Sequence, residues 1–301
     1  VSRIICLGRA FEKQRQTREF EPTHVGCHVF GETHPVDFEP GCVHSKSVNY
    51  DISHLLNRWE FQPGEPMVRR FKGKDGMTKI QLRIDLGLLQ MNAVGRPDGQ
   101  RPRGCESLLE YHQAALVRYV QDQDGTDTGF KLDAEACAAL QLEAIQYHHR
   151  YLCLFQLEDY EGVLRDTQRN FRVFDLVERY AENDDLVWIF EQFRPQLFMM
   201  RTRAKAAQVL ASGDFAGAIV LINAGIEELR AFYREQEQFE LEQDSDEIAS
   251  LEAWLEDIQA HQPLSRREKL EMALKDAIQR EDYEKAARFR DALRKLKPTS
   301  K

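Results

Sequence analysis

Beyond Cys105 the apolar residues of this chain recur every three or four positions almost to its end, and that period admits helices and little else. In ESLLEYHQAALVRYVQ the residues Leu108, Leu109, Tyr111, Ala115, Leu116 and Tyr119 fall at helical spacing. The turn-rich string QDGTDTG then interrupts, and LDAEACAALQLEAIQYHHRYLCLFQL restarts behind Asp133, a natural N-cap. Helices joined by short turns must bury their stripes against one another, so a bundle of hairpins is expected. Three turns look alike: Glu158-Asp159-Tyr160-Glu161-Gly162-Val163, Gly213-Asp214-Phe215-Ala216-Gly217-Ala218 and Glu281-Asp282-Tyr283-Glu284-Lys285-Ala286. In each, the Asp is placed to cap the following helix and the aromatic to fill the angle between the two helices. The small residue three positions after the aromatic lets those helices approach.

The first two turns resemble those of tetratricopeptide-like hairpins. Asp159 and Asp214 are 55 residues apart, however, which is no multiple of a 34-residue repeat. The stretch from about 133 to 233 therefore reads as an irregular bundle with longer helices. Trp188, Phe190, Phe193, Phe198 and Met199 are its expected core, although helical arrays also present grooves to peptides.

Residues 1–48 read differently. His24, Cys27, His28, His34, Cys42 and His44 stand among prolines and glycines without sustained periodicity. Their spacing fits no closed zinc pattern, and a disordered or spurious extension is the expectation. The next unit, 49–104, is a small α+β module. DISHLLNRW supplies a helix with an N-cap candidate and with Ile52, Leu55, Leu56 and Trp59 on one face, and FQPGEP ends it. A β-hairpin follows, Val68 to Lys72 paired with Lys79 to Leu86 through Gly73-Lys74-Asp75-Gly76. Ile80, Leu82, Ile84 and Leu86 alternate with Gln81, Arg83 and Asp85, the pattern of one buried face. Such a hairpin is marginal alone and has to pack on helices or on another chain. In GRPDGQRPRG (95–104), Arg96, Arg101 and Arg103 form either an anion contact or a rigid turn whose arginines cap neighbouring acidic helices.

The formal charge of −9 argues against a chain that coats nucleic acid, which needs surplus Lys and Arg. No apolar run reaches the length of a membrane helix, and no signal-peptide pattern opens the chain. The six scattered cysteines contain no CxxC pair, which fits a reducing, bacterial-type cytoplasm. His148, His149 and Cys153 supply at most two ligands on one helix, so neither a metal nor a cofactor is expected. No nucleophile elbow, HExxH, P-loop or dinucleotide fingerprint occurs, and the chain reads as a non-enzyme.

Charge separates the last quarter. Residues 234–258 hold ten acids and one Arg, as expected of a solvated helix continuing the bundle, with a break near Asp244-Ser245-Asp246. From Leu264 onward there are twelve Lys or Arg against seven acids, so the two stretches can pair weakly. The tail LSRREKLEMALKDAIQREDYEKAARFRDALRKLK, with DYEKAARFRD at its centre, resembles the UVR motif. That motif is the helical hairpin of excinuclease subunits B and C, also found in the activator of the bacterial protein-arginine kinase and in a Clp-type ATPase. The matching positions include Leu270, Ala273, Ala277, Asp282, Tyr283 and Glu284, then Ala286, Ala287, Arg290, Asp291, Leu293 and Leu296; Phe289 replaces the usual aliphatic residue. Residues 51–297 are also similar to uncharacterised bacterial proteins ending in this motif.

The resemblance implies that 264–297 docks a protein partner: an excinuclease subunit, a Clp-type ATPase, an arginine-kinase component or a second copy. Leu270, Leu274, Asp282, Tyr283, Ala286, Ala287, Phe289, Arg290 and Leu293 are the expected contact residues, with Tyr283 and Phe289 as anchors. The overall expectation is a mainly α protein, built from the small N-terminal module, a helical bundle over 105–258 and the terminal hairpin, acting as an adaptor. The alternative is a nucleic-acid repair accessory that touches DNA through Arg96, Arg101, Arg103 and the basic tail.

Overall fold

The structure, a computed structural model, describes residues 51–262 and 266–296. It is mainly helical with a small antiparallel sheet near the N-terminal end of that range. A single helical turn, α1 (Ser53–Leu56), precedes β1 (Met67–Lys72), β2 (Thr78–Ile84) and β3 (Gly87–Asn92), hydrogen-bonded in the order β1-β2-β3. The expected hairpin is thus a three-stranded meander. β2 stops at Ile84, and Asp85-Leu86 turns the chain into β3, whose Gly87 pairs with Ile84. That turn leaves Leu86 88% exposed and Ile84 40% exposed, so neither lies on a buried face as the alternation had suggested.

The sheet is covered on both sides by different chemistry. Ile80, Met91 and Ala93 enter the main hydrophobic core, where Ile80 is fully buried. On the opposite face Gln81 and Arg83 are buried too, beneath the segment that follows α1. The Arg83 Nε donates to the Trp59 carbonyl at 2.9 Å and its guanidinium lies 5.7 Å from the Phe61 ring, while that of Arg69 sits 4.2 Å above Trp59. Aromatic rings can cover a polar sheet face in this way because guanidinium groups stack on them.

Eight helices carry the bundle: α2 (Leu108–Asp122), α3 (Ala134–Gln156), α4 (Tyr160–Tyr180), α5 (Asp184–Glu191), α6 (Arg194–Ala211), α7 (Phe215–Glu235), the five-residue α8 (Phe239–Gln243) and α9 (Asp246–His261). Their starts follow capping chemistry. Ser107, Asp133, Asn183 and Ser245 each accept a bond from the backbone N–H three residues on, Asp133 as the sequence suggested. Helices α3 to α6 pack around one core that also takes in the sheet and α2, with Leu140, Leu154, Val163, Val173 and Val177 essentially inaccessible. Phe190 belongs to it, and Phe193, Phe198 and Met199 pack against it partly buried. Trp188, expected beside them, is 46% exposed.

A second core joins α6, α7 and α9 through Ala206, Ile222, Leu229, Ile248, Leu251 and Ile258. The acidic stretch is therefore more than a solvated continuation. Its apolar stripe closes the end of the bundle, after a break that falls at Ser245 as expected.

The chain ends in a further pair, α10 (Arg266–Gln279) and α11 (Tyr283–Lys295), packed on each other. Ala277 and Ala286 are its buried residues, and neither belongs to the two cores.

Candidate partner-binding site

The terminal hairpin is built on a turn that the protein uses three times. Asp159, Asp214 and Asp282 have nearly the same backbone angles, with φ of −87°, −86° and −85° and ψ of 71°, 80° and 77°. Each carboxylate accepts the N–H three residues ahead, from Gly162 at 3.0 Å, Gly217 at 2.8 Å and Lys285 at 3.2 Å. Each Asp N–H in turn reaches the carbonyl five residues back, on Leu154, Val209 and Ala277. The residue before each Asp is left-handed: Glu158 at φ +57°, Gly213 at +80° and Glu281 at +58°. This pairing of a left-handed helix stop with an Asp start turns the chain within a few residues. Val163, Ala218 and Ala286 then sit buried at the close approach, the role read from the sequence.

The aromatic position separates the three copies. Tyr160 packs its ring 5.7 Å from Phe155, and Phe215 packs against the second core. Tyr283 instead stands 70% exposed, so in this copy the ring does not fill the angle between its helices. Ile278 and Met272, on the helix before it, are 53% and 59% exposed. Leu270, Leu274, Ala287, Phe289 and Leu293 are half-buried, and Arg290 is exposed beside Asp291 at 3.3 Å. Lys285 bonds the Asp282 carboxylate through both its side chain and its N–H, holding that group below the usual carboxylate range. The hairpin thus has a rigid turn and an apolar surface larger than two short helices can hide from water.

The three arginines of the 95–104 loop go to different partners. Arg96 is bound to Glu143 at 2.8 Å and Asp98 at 2.9 Å. Arg103, at φ +50°, lies 4.7 Å over the Tyr111 ring and donates to its hydroxyl at 2.8 Å. Arg101 is exposed, with no ion pair among the described residues. The rigid-turn reading accounts for Arg96 and Arg103 directly, because both are already satisfied by side chains of the protein.

What the sequence reading missed is the network behind this loop. Glu143, wholly buried, accepts both Arg96 and Arg169 and the N–H of Leu108. Arg150 forks onto Asp166 at 2.6 and 2.8 Å, both side chains 1% exposed, and also holds the Asn92 and Gly95 carbonyls. Arg165 joins Asp166 to the Ala93 carbonyl. The end of β3 is thereby clasped onto α3 and α4. Burial and the neighbouring cations Arg96 and Arg172 push the Arg169 guanidinium down to about 9, against the pull of Glu110. The only advance signal was the presence of charges inside helices otherwise read as core.

A cleft of about 260 Å³ opens between α3, α4, α5 and the start of α6, lined by Ile145, His148, Phe174, Ile189, Phe193 and Leu197 among others. Burial, aided by the neighbouring His149, pushes the His148 imidazole down to about 4, and its Nδ1 lies 2.6 Å from the Tyr151 hydroxyl. Burial likewise pushes the Cys153 thiol up to about 12. Among the described residues no three His, Cys, Asp or Glu side chains converge as metal ligands. The His and Cys cluster of 24–44 lies outside the described residues. Among the described residues no helix is long and apolar enough to cross a membrane.

No protein-family model matches the chain, and no curated protein or solved structure is significantly similar to it.

Proposed function

We propose that the protein is a non-enzymatic adaptor that docks a protein partner through the α10–α11 hairpin. The observation that carries this reading is Tyr283. The same turn half-buries its aromatic in the two earlier copies, whereas here the ring is exposed at the tip of a hairpin whose buried residues join neither core. Exposed aromatics beside apolar neighbours are what partners use as anchors. The resemblance of this segment to the UVR motif agrees, since that motif joins subunits, and it suggests an excinuclease subunit, a Clp-type ATPase or an arginine-kinase component as partner. DNA contact through the loop arginines is the weaker reading, because Arg96 is occupied by two carboxylates.

The test is affinity capture from native lysate with the full chain, beside a chain ending at His261 and the variants Tyr283→Ala and Phe289→Ala. Loss of one partner on truncation, with weakening by about 2 kcal/mol or roughly thirtyfold for Tyr283→Ala, is expected. A partner list unchanged by the truncation and both substitutions would leave the hairpin a structural cap and overturn the proposal.

A further inference from the structure

Charge along the hairpin is not evenly spread. Its tip carries Glu281, Asp282 and Glu284 beside Arg280 and Lys285, whereas the outer half of α11 carries Arg290, Arg294 and Lys295 against Asp291 alone. Arg294 and Lys295 occupy the last helical turn and have no ion pair among the described residues. Phe289 and Leu293 lie half-buried beside them. The complementary surface is at the other end of α9. The elbow from Glu235 to Glu247 contains seven carboxylates and no Lys or Arg. At its centre α8 holds Phe239 57% exposed and Leu241 47% exposed. Of these acids, Glu242 is paired, with Arg234 just outside the elbow at 2.8 Å. Two unpartnered apolar patches of opposite charge thus face solvent on one chain.

Geometry decides against their meeting within a molecule. Sixteen residues of α9 span about 24 Å, and the basic end of the hairpin is tethered to its far end by four residues that reach roughly 17 Å. If the hairpin folded back along α9, its tip, whose Asp282 and Glu284 are already paired with Lys285 and Arg288, would arrive at the elbow and leave the basic half of α11 at the other end of α9. The basic half of α11 meets an acidic elbow favourably on another copy.

We propose that the chain forms a reciprocal dimer in which the basic half of α11, with Phe289 and Leu293, lies on the α8 elbow of a second copy. Two equal contacts close the assembly around a two-fold axis. The inference rests on the adaptor reading, in that it takes the hairpin as the docking element and names a second copy as its partner.

Charge-swap complementation of the full chain tests it, followed by sedimentation velocity. One variant reverses the elbow (Glu237→Lys, Glu240→Lys) and the other reverses the hairpin (Arg290→Glu, Arg294→Glu). The unaltered chain is expected to dimerise at about 0.01 M salt and to weaken at least tenfold at about 1 M, where screening shortens from roughly 30 to 3 Å. Each variant alone should be at least tenfold weaker, and an equimolar mixture should recover dimer, since both contacts are again basic on acidic. Circular dichroism confirms that each variant keeps its helix content. A monomer under all conditions overturns the dimer. A dimer that survives in either variant alone, with no gain on mixing, means that hairpins pair with hairpins and overturns the elbow contact. If the chain is monomeric yet truncation after His261 still abolishes capture of another protein, the adaptor reading stands and this inference falls.

Discussion

Single residues divide into those whose role is local and those whose role depends on the whole fold. Asp133, Asp159, Asp214 and Asp282 act on a backbone N–H three residues away, so their capping was readable from neighbours in the chain. Glu143 acts on Leu108, Arg96 and Arg169, up to 47 residues away, and no periodicity announces it. Substituting Glu143→Ala would leave Arg169 buried without its carboxylate and Arg96 with Asp98 alone. A loss of about 3 kcal/mol is expected, read as a lower denaturant midpoint, and a loss below about 1 kcal/mol would mean that water already solvates the site. His148 gives a pH dependence. Its folded pKa, about 4, lies below the unfolded value near 6.5, so the unfolded chain binds the extra proton in between. Stability from this group is complete above pH 6.5, falls as pH drops towards 4, and totals on the order of 3 kcal/mol. Denaturation midpoints measured across that window should lose most of their slope in His148→Gln. The residue left over belongs to His149 and His112, which burial also holds low. An unchanged slope in the variant would show that His148 protonates freely in the fold.

At the scale of elements, helix positions were legible because a 3.6-residue stripe is a local property, while strand ends and helix partners were not. The Asp85-Leu86 turn carries no glycine within it, and Leu88-Leu89 breaks alternation, so β3 was invisible as a strand. The stretch 234–258 looked solvated because its ten acids mask the apolar stripe that α9 buries. Contact between α6 and α7 shows how tightly such partners fit. A Cβ added at Gly225 would lie 2.2 Å from the Thr202 Oγ1 and 2.8 Å from its Cβ, distances that no rotamer change of Thr202 fully relieves. Gly225→Ala therefore sets two effects against each other. The helix gains about 1 kcal/mol of propensity, and overpacking costs roughly 1–3 kcal/mol, so the net expectation is a lower thermal midpoint. Thr202→Ala in the same background removes the Oγ1 and Cγ2 clashes and should recover part of the loss. A Gly225→Ala variant more stable than the parent would mean that the two helices part easily.

For the molecule as a whole, the question is whether the terminal hairpin belongs to the cooperative unit. The sequence shows the hairpin but is silent on this, because the answer depends on whether apolar side chains cross from one element to another. In the structure the two cores are linked through Phe198 and Met199, which pack against both, so the sheet and α2 to α9 should unfold together. Ala277 and Ala286 contribute to neither core, and the ion pairs of α10 and α11 are local ones, Arg267 to Glu271, Arg280 to Asp276, Lys285 to Asp282 and Arg288 to Glu284. Pairs of this exposed kind add little to stability. A chain ending at His261 is therefore expected to melt within about 2 °C of the full chain, since a larger shift would require roughly 1 kcal/mol of contact across the junction. The hairpin itself, two helices of 14 and 13 residues with little buried between them, should lose its circular dichroism signal earlier than the bundle. Hydrogen exchange should then show α10 and α11 opening far more readily than α3 or α4. A partner that covers Tyr283 would slow that exchange in proportion to its affinity, because whatever binds only the folded hairpin stabilises it. If truncation instead lowers the main transition by several degrees, the hairpin is part of the bundle, and Tyr283 is exposed for a reason other than docking.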